Sequence, residues 1–396
     1  MRSSGRLQDV PPYPFVRWNA ACRDAAAEGI DVIRLDMGSP DLPPPVAVTD
    51  ALCASARRET HHGYPGFRGT PRLREAIATY YARRFDVELD PETQIVPLLG
   101  SKEGIVNMAL ACLDPGDVAL VPDPGYAPYA RGVQLAGGKP HFFPLVEERA
   151  FLPNLQTIPA ETARRAAMLW LNYPNNPTGA TTDLDFLAEA VAFARTNDLL
   201  LCHDAPYADV TFDGYVAPSV LQVPGAADVA VEFNSVSKTF NMAGWRVGMA
   251  VGRPDALALL AQIKSNVDSG IFLPIQDAAV RALSVDCDWI AARNGVYRER
   301  LSMIVEALNV AGLDAFLPRA TLYLWVRLPP GVDSEALALH LLEATGVSVS
   351  PGTFFGPAGD GFLRVSATAP TGRIAEASER LRKLPSDWVE TMGGSQ

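Results

Sequence analysis

The sequence predicts an α/β fold: a large domain with a mostly parallel sheet flanked by helices, and a smaller α+β domain. Three observations carry this expectation. Strand and helix patterns alternate through most of the chain, as they do when parallel strands are joined by crossover helices. At 396 residues the chain exceeds what one hydrophobic core usually holds. After Arg253 the alternation gives way to a long helical tract and a few short strands.

Residues 17–28 read as a short amphipathic helix, and DVIRLDMG as a strand running into a turn. Pro43-Pro44-Pro45 precedes a helix from about Val46. Thr70-Pro71 opens another, with proline at the first helical position and LREAIATYYARRF behind it. The middle of the chain then repeats strand, turn and helix. QIVPLL leads through Gly100-Ser101 into KEGIVNMALACL, and DVALVPD leads into GYAPYARGVQLA. AAMLWLNY ends in NNPTG, followed by the helix LDFLAEAVAFAR; LLLCHDA and VAVEFNS are the next strands. From Pro274 a helical tract is expected to run to about Val310. TLYLWVRL, a helix from Ser334 to Ala344, VSVSPG, FLRVSA and a final helix complete the chain. The expected boundaries are 46–285 for the large domain, with 1–45 and 286–396 forming the small one.

Composition narrows function by exclusion. A net charge of −11 argues against nucleic acid as a partner, because phosphate backbones call for a basic face. No apolar run approaches the roughly 20 residues of a membrane span, and no signal core is evident near Met1. The five cysteines are scattered, without CxxC or Cys/His spacing, so reduced thiols, no metal and a cytoplasmic location are expected. The five histidines offer neither a ligand set nor a triad. His203 should point to the side of its strand opposite to its neighbour Asp204.

The chemistry lies in short motifs, each just past the C-terminal end of an expected strand, where open parallel sheets bind ligands. Lys238 stands in SVSKTFNMAGWRVG, between small polar residues and ahead of a Gly-rich stretch. That is poor core material, and it suits an amine that condenses with an aldehyde cofactor. Ser235, Ser237 and Arg246 could hold such a cofactor's phosphate, Arg246 with a bidentate fork. LLGSKEG, 98–104, places Ser101 and Lys102 at a helix N-terminus, a ready anion site. PDPGY, NYPNNPTG, HDAPY and, later, GFLRVSAT follow in order.

This set resembles the class I/II aminotransferases of fold type I, which use pyridoxal 5′-phosphate (PLP). The resemblance runs from about residue 7 to about residue 382. It implies that Lys238 carries the cofactor and that Asp204, at the end of an apolar strand, keeps the ring nitrogen protonated. It implies that Tyr126 stacks on the ring, and that Tyr207 and Asn176 donate to the phenolic oxygen. Asn176 also reads as a plain turn residue, and Tyr126 as a core tyrosine after a turn. The resemblance places Arg364 on the substrate's α-carboxylate, with Gly38 and Asn172 beside it; a simple turn role for Gly38 is equally open. Lys102 offers either its N–H alone or its ammonium to the phosphate. Tyr64, in HHGYPGFRG, matches a tyrosine that reaches the phosphate of a neighbouring subunit, which implies a homodimer with shared active sites.

The implied reaction moves an amino group between an L-amino acid and a 2-oxo acid by a ping-pong cycle, Lys238 acting as acid and base. Within the family, GSKEG, HDAPYADVTFDGY, VPGAADVAVEFNSVSK and KSNVDSGIF are most similar to LL-diaminopimelate aminotransferase-like enzymes. LDMGSPD and NSVSK depart from the usual pattern near the site and leave the substrate open. A lyase catalysing β-elimination on the same fold is the alternative. An aminotransferase-like sensor domain of a transcription regulator is disfavoured, because the match begins near residue 7 and leaves no room for a DNA-binding domain.

Overall fold

The computed structural model describes residues 4–8, 10–385 and 388. Its first strand, β1 (Ile33–Arg34), takes up only two residues of DVIRLDMG, and beyond it Asp36 is fully buried. The central sheet uses β2 (Ile95–Leu98), β3 (Val118–Asp123), β4 (Lys139–Pro144), β5 (Ala166–Asn172), β6 (Leu200–Asp204), β7 (Ala230–Ser235) and β8 (Gly248–Gly252). Its seven strands run in the order β2-β8-β7-β6-β5-β3-β4. All pairings are parallel except those of β8, which runs antiparallel to both neighbours. Sequence reading missed β4 and β8: the first is a half-exposed edge, and the second a Gly-bounded run directly behind the lysine motif.

The inner strands are buried on both faces, which is why they read as continuous apolar runs. Along β5, Met168 and Trp170 enter one core, with the helices Ser101–Cys112 and Pro254–Val267. Leu169 and Leu171 enter another, with the helix Leu184–Asn197. Each such fully buried leucine contributes about 1.5–3 kcal/mol. The helix Pro71–Phe85 starts where Thr70 accepts from Leu73 N–H and ends at Asp86 in a left-handed conformation.

The second core gathers Trp18, Ile33, Tyr297, Leu301, Leu341 and Leu363, residues from both ends of the chain. Its three-stranded antiparallel sheet pairs β9 (Tyr323–Arg327), β11 (Ser350–Pro351) and β12 (Phe362–Ser366) in the order β11-β12-β9. β10 (Val347–Ser348) pairs in parallel with β1, so VSVSPG serves two sheets. The expected tract from Pro274 to Val310 is two helices, Leu273–Leu283 and Cys287–Val310. Asp286 restarts the second by accepting from Trp289 N–H at 3.1 Å.

Candidate active site

The ends of the central strands, the three-stranded sheet and the N-terminal segment enclose a cavity of about 410 Å³. Ser101, Lys102, Tyr126, Asn172, Asn176, Asp204, Tyr207, Ser235, Ser237, Lys238, Arg246, Gly38 and Arg364 all line it. Tyr64 does not; its side chain is 91% exposed on the surface. Among the described residues, no group of His, Cys, Asp or Glu is arranged to hold a metal ion.

One end of the cavity is built for an anion. Gly100 caps the helix Ser101–Cys112 at φ 81°, and a Cβ there would lie 2.0 Å from Arg246 Nη2. Glycine is needed both for the turn and for that close approach. Gly248 plays a similar part, since a Cβ there would meet Ser101 N at 2.6 Å. The turn is fixed from below by Glu103, which accepts from Leu99 N–H at 3.1 Å and lies 3.6 Å from the buried Lys264 ammonium. The Ser235 and Ser237 hydroxyls are 2.8 Å apart. Arg246, itself at φ 57°, makes no ion pair among the described residues, and its Nη1 donates to Ala243 O at 2.8 Å. Lys102 points elsewhere: its ammonium lies 4.5 Å from the centre of the Tyr13 ring.

Asp204 ends β6 and is almost fully buried. Its Oδ2 accepts from Tyr129 O–H at 2.7 Å, while Oδ1 is buried without any partner. Burial pushes the carboxyl up to about 7, against the Tyr129 hydrogen bond and the nearby His203. An unpartnered, desolvated carboxylate oxygen is costly unless a cationic N–H meets it. The site therefore fits a protonated ring nitrogen at this point. Tyr129 is held by stacking on Trp170, at 5.1 Å and 14°. His203 does face the other way; its Nδ1 lies 2.9 Å from the fully buried Glu232.

Lys238 sits in the short helix Val236–Thr239, and its Nζ donates to Gly38 O. Desolvation first, with the charges of Arg364 and Arg246, pushes the amine below its usual range, while Tyr323 opposes the shift. Arg293, reaching in from the helix Cys287–Val310, donates to Lys238 O and holds the motif's backbone. Gly38 is required by space rather than by φ, since a Cβ there would lie 2.2 Å from Tyr323 Oη.

Arg364, on β12, is 4% exposed and has no acidic partner among the described residues. Its Nη1 donates to Asn176 Oδ1 at 2.9 Å and its Nη2 to Asp36 O at 2.7 Å, while Nε is buried without an acceptor. Tyr323, Phe355 and Phe15 surround the guanidinium at 4.2, 4.6 and 5.6 Å. A buried cation in an aromatic frame with an idle donor fits a carboxylate from outside. Asn176 spends its carbonyl on Arg364, which leaves its amide N–H groups for the cavity. Asn172 is differently engaged: it donates to Asp204 O at 2.7 Å and accepts from Asn176 N–H at 2.8 Å, so it ties the NNPTG turn to the aspartate strand. The Tyr207 and Tyr323 hydroxyls lie 2.9 Å apart.

Sequence reading missed Tyr13, Phe15, Tyr129, Tyr323 and Phe355. Tyr323 fell within the expected strand TLYLWVRL, and Tyr129 within the expected helical run GYAPYARGVQLA. Nothing in the local patterns around Tyr13, Phe15 or Phe355 distinguished them from core residues.

The family described as aminotransferase class I and II matches residues 30–381. The chain is 48% identical to an LL-diaminopimelate aminotransferase of Desulforudis audaxviator, over 95% of this chain and 96% of that one. It is 47% identical to one from Moorella thermoacetica, covering 97% and 98%. Among solved structures, substrate-bound BacF from Bacillus subtilis superposes with a TM-score of 0.93 at 34% identity, covering 97% and 98%.

Proposed function

The chain belongs to the class I and II aminotransferases and is a PLP-dependent transaminase, and we propose that it takes its amino group from LL-diaminopimelate or a closely related diamino dicarboxylate. The observation that carries this reading is a second cation in the cavity. Arg364 suits the α-carboxylate common to all amino acids, and Lys102 offers a separate ammonium beside Tyr13, free of any acidic partner among the described residues. A donor with a distal carboxylate would use it. The relatives named for that substrate agree with this choice.

When bound, PLP supplies an electron sink for the charge left as a substrate's Cα–H is broken. The protein's own part is to bind, orient and move protons. Ser101 N–H, Ser235, Ser237 and Arg246 hold the phosphate in this reading, and Tyr126 covers a ring face. Asp204 keeps the ring nitrogen protonated, with Oδ1 as the acceptor. Tyr207 and the Asn176 amide donate to the phenolic oxygen. Arg364 and Gly38 fix the α-carboxylate, and thereby which face of Cα turns to the amine. Lys238, its pKa already lowered, carries the proton away from Cα and returns it. Asn172 acts on Asn176 and Asp204 rather than on substrate.

A homodimer with shared active sites is part of the proposal. Tyr64, Val267 and Phe272 are exposed by 91, 60 and 42%, and the segment at Gly270 packs against Gly66 O. These exposed apolar side chains, carried on two neighbouring segments, are surface that a second copy of the chain would cover. We also keep 46–285 as one body and 1–45 with 286–396 as the other. No described helix is long and apolar enough to cross a membrane. A cytoplasmic location remains our reading, in keeping with five free cysteines, of which Cys53 and Cys287 are exposed.

The test is initial rates with LL-diaminopimelate, aspartate, phenylalanine and alanine as donors and 2-oxoglutarate as acceptor. The proposal expects kcat/KM highest for LL-diaminopimelate, and expects Lys102→Met to lower that value at least 10-fold, the loss of a charge-assisted bond, while sparing alanine. Phenylalanine as the preferred donor, or an equal loss on alanine, would overturn it.

A further inference from the structure

Tyr323 lies on β9, yet it meets Tyr207, Arg364 and Gly38 at the centre of the cavity. Its hydroxyl is 2.9 Å from that of Tyr207, and the two rings meet edge to face at 5.6 Å and 74°. Both residues are buried, at 2 and 4% exposure. The Tyr323 ring lies 4.2 Å from the Arg364 guanidinium, and its Oη fills the space that Gly38 leaves by lacking a Cβ. The pair is clamped from behind: Phe212 N–H donates to Arg319 O and Thr321 N–H to Val210 O, each at 2.8 Å. Thr321 is held at φ 77°, a conformation that β-branched residues rarely adopt, and its hydroxyl accepts from Tyr323 N–H at 3.2 Å. The chain thus fixes Tyr323 by several contacts just where it faces Tyr207.

A tyrosine hydroxyl has one proton to give and lone pairs to accept with. If Tyr207 gives its proton to the cofactor's phenolic oxygen, the contact with Tyr323 can only run the other way, with Tyr323 donating to Tyr207. We propose that Tyr323 is a positioning residue acting through Tyr207: a two-tyrosine relay in which the Tyr323 hydroxyl orients and strengthens the Tyr207 donor, while the Tyr323 ring sets the plane of Arg364. This rests on the reading of Tyr207 given above. One residue of the small domain then serves both the cofactor's oxygen and the substrate's carboxylate, so the two are aligned by the same strand. The titratable or charged groups facing the pair are Arg364 from β12, Lys238 from the short lysine helix, Tyr126 from the loop after β3, Tyr129 from the helix Pro128–Leu135, and Tyr13 from the N-terminal segment.

The readout is the pH midpoint of the visible absorption band of the holoenzyme, taken without substrate. Donors to the phenolic oxygen spread its negative charge, so the proton held beside that oxygen leaves at lower pH. Removing a donor raises the midpoint. Tyr207→Phe, which deletes the direct donor, should raise it by about one pH unit, a tenfold change in the equilibrium. Tyr323→Phe keeps the ring and loses only the relay; cooperative strengthening of 10–30% per bond gives a rise of about 0.1–0.3 unit. The double variant should match Tyr207→Phe alone. Binding of a non-reacting carboxylate, succinate, should change less than about twofold in Tyr323→Phe and weaken clearly in Tyr323→Leu, which removes the aromatic face under Arg364. Circular dichroism of each variant checks that it is folded. A fall or no change in the midpoint of Tyr323→Phe, with Tyr207→Phe still raised, would overturn the relay alone. No change in Tyr207→Phe would overturn the reading of Tyr207 and the relay with it. Additive shifts in the double variant would show two independent donors and also refute the relay.

Discussion

Replacing Asp204 by asparagine should abolish transamination, yet stabilise the cofactor-free protein at high pH. The carboxyl is buried and raised from 3.8 to about 7. In the unfolded chain it ionises near its ordinary value. Between those two values the unfolded state releases a proton that the folded state retains. Stability contributed by the protonated form is therefore complete below about pH 4 and is lost as pH rises through about 7. Three units of difference at 1.36 kcal/mol each give ~4 kcal/mol as the upper scale of that loss. Asparagine keeps an oxygen for the Tyr129 hydroxyl and carries no charge to desolvate. Whatever its NH₂ group costs by replacing the unpartnered oxygen is the same at both pH values, and drops out of the difference between them.

The assay is chemical denaturation of PLP-free wild type and Asp204→Asn at pH 5 and pH 8. The wild type should lose more stability on going to pH 8 than the variant does, by an amount between about 1 kcal/mol and ~2.7 kcal/mol, the share of the limit that falls between pH 5 and about 7. Adding PLP at pH 8 should restore the wild type, because a cationic ring nitrogen then meets Oδ1, and should help the variant much less. Equal pH dependence in the two proteins would refute the argument that the idle oxygen of Asp204 is a stored cost released by the cofactor. A steeper dependence in the variant would refute it more directly.

Lys238→Ala should lose the visible band of the bound cofactor and all transamination, with unchanged circular dichroism; retained activity would show another amine at work. Arg364→Lys keeps a charge without the fork, so kcat/KM should fall on the order of 10-fold or more by a similar factor for every donor, with PLP affinity nearly unchanged. An effect confined to acidic donors would make Arg364 a side-chain reader. Gly38→Ala places a methyl 2.2 Å from Tyr323 Oη, so it should weaken succinate binding and slow turnover together; an unaffected variant would mean that Tyr323 moves freely. Tyr64→Ala and Lys238→Ala, each inactive or weak alone, should recover about a quarter of wild-type activity when mixed and allowed to exchange subunits, since one mixed site in each heterodimer is intact. No recovery in proven heterodimers would remove Tyr64 from its partner's site.

The central sheet's share of the cavity was legible because its chemistry follows strand ends. Lys238, Asp204, Asn176 and Ser101 each stand at a strand end, or in the turn or helix start just past one, where glycines, prolines or small polar residues break the apolar run. Interruption by chemically awkward residues is a local signal. The second core gave less. Arg364 was placed only by the resemblance of GFLRVSAT to the family's pattern, and Tyr323, Phe15 and Phe355 did not stand out at all. An aromatic on a buried strand carries the same local pattern whether it packs against leucine or against a guanidinium. Tyr129 and Arg293 escaped for another reason. They act on Asp204 and on the Lys238 backbone across 75 and 55 residues of chain, a relation that only folding creates. The break at Asp286 was likewise hidden, because a capping aspartate inside an otherwise helical tract looks like one more polar position.

Net charge gave no hint of the cavity's sign, and the contrast is instructive. The chain carries −11, yet its cavity is lined by Lys102, Lys238, Arg246 and Arg364 with Asp204 as the sole acid. These cations are kept apart by construction. Arg246 sits over a helix N-terminus, Arg364 lies in an aromatic frame, Lys102 lies on Tyr13, and Lys238 is turned to a backbone carbonyl. None has an acidic partner among the described residues, so each retains its attraction for an anion brought from outside. A phosphate, a phenolic oxygen and the carboxylates of an amino acid would neutralise them one by one. Burial first, and then the charges of Arg364 and Arg246, keep the Lys238 amine low in pKa, which favours a free base for proton transfer. The acidic surface and the basic cavity thus have separate causes. The one follows from overall composition, and the other from four side chains that the fold brings together from distant parts of the chain.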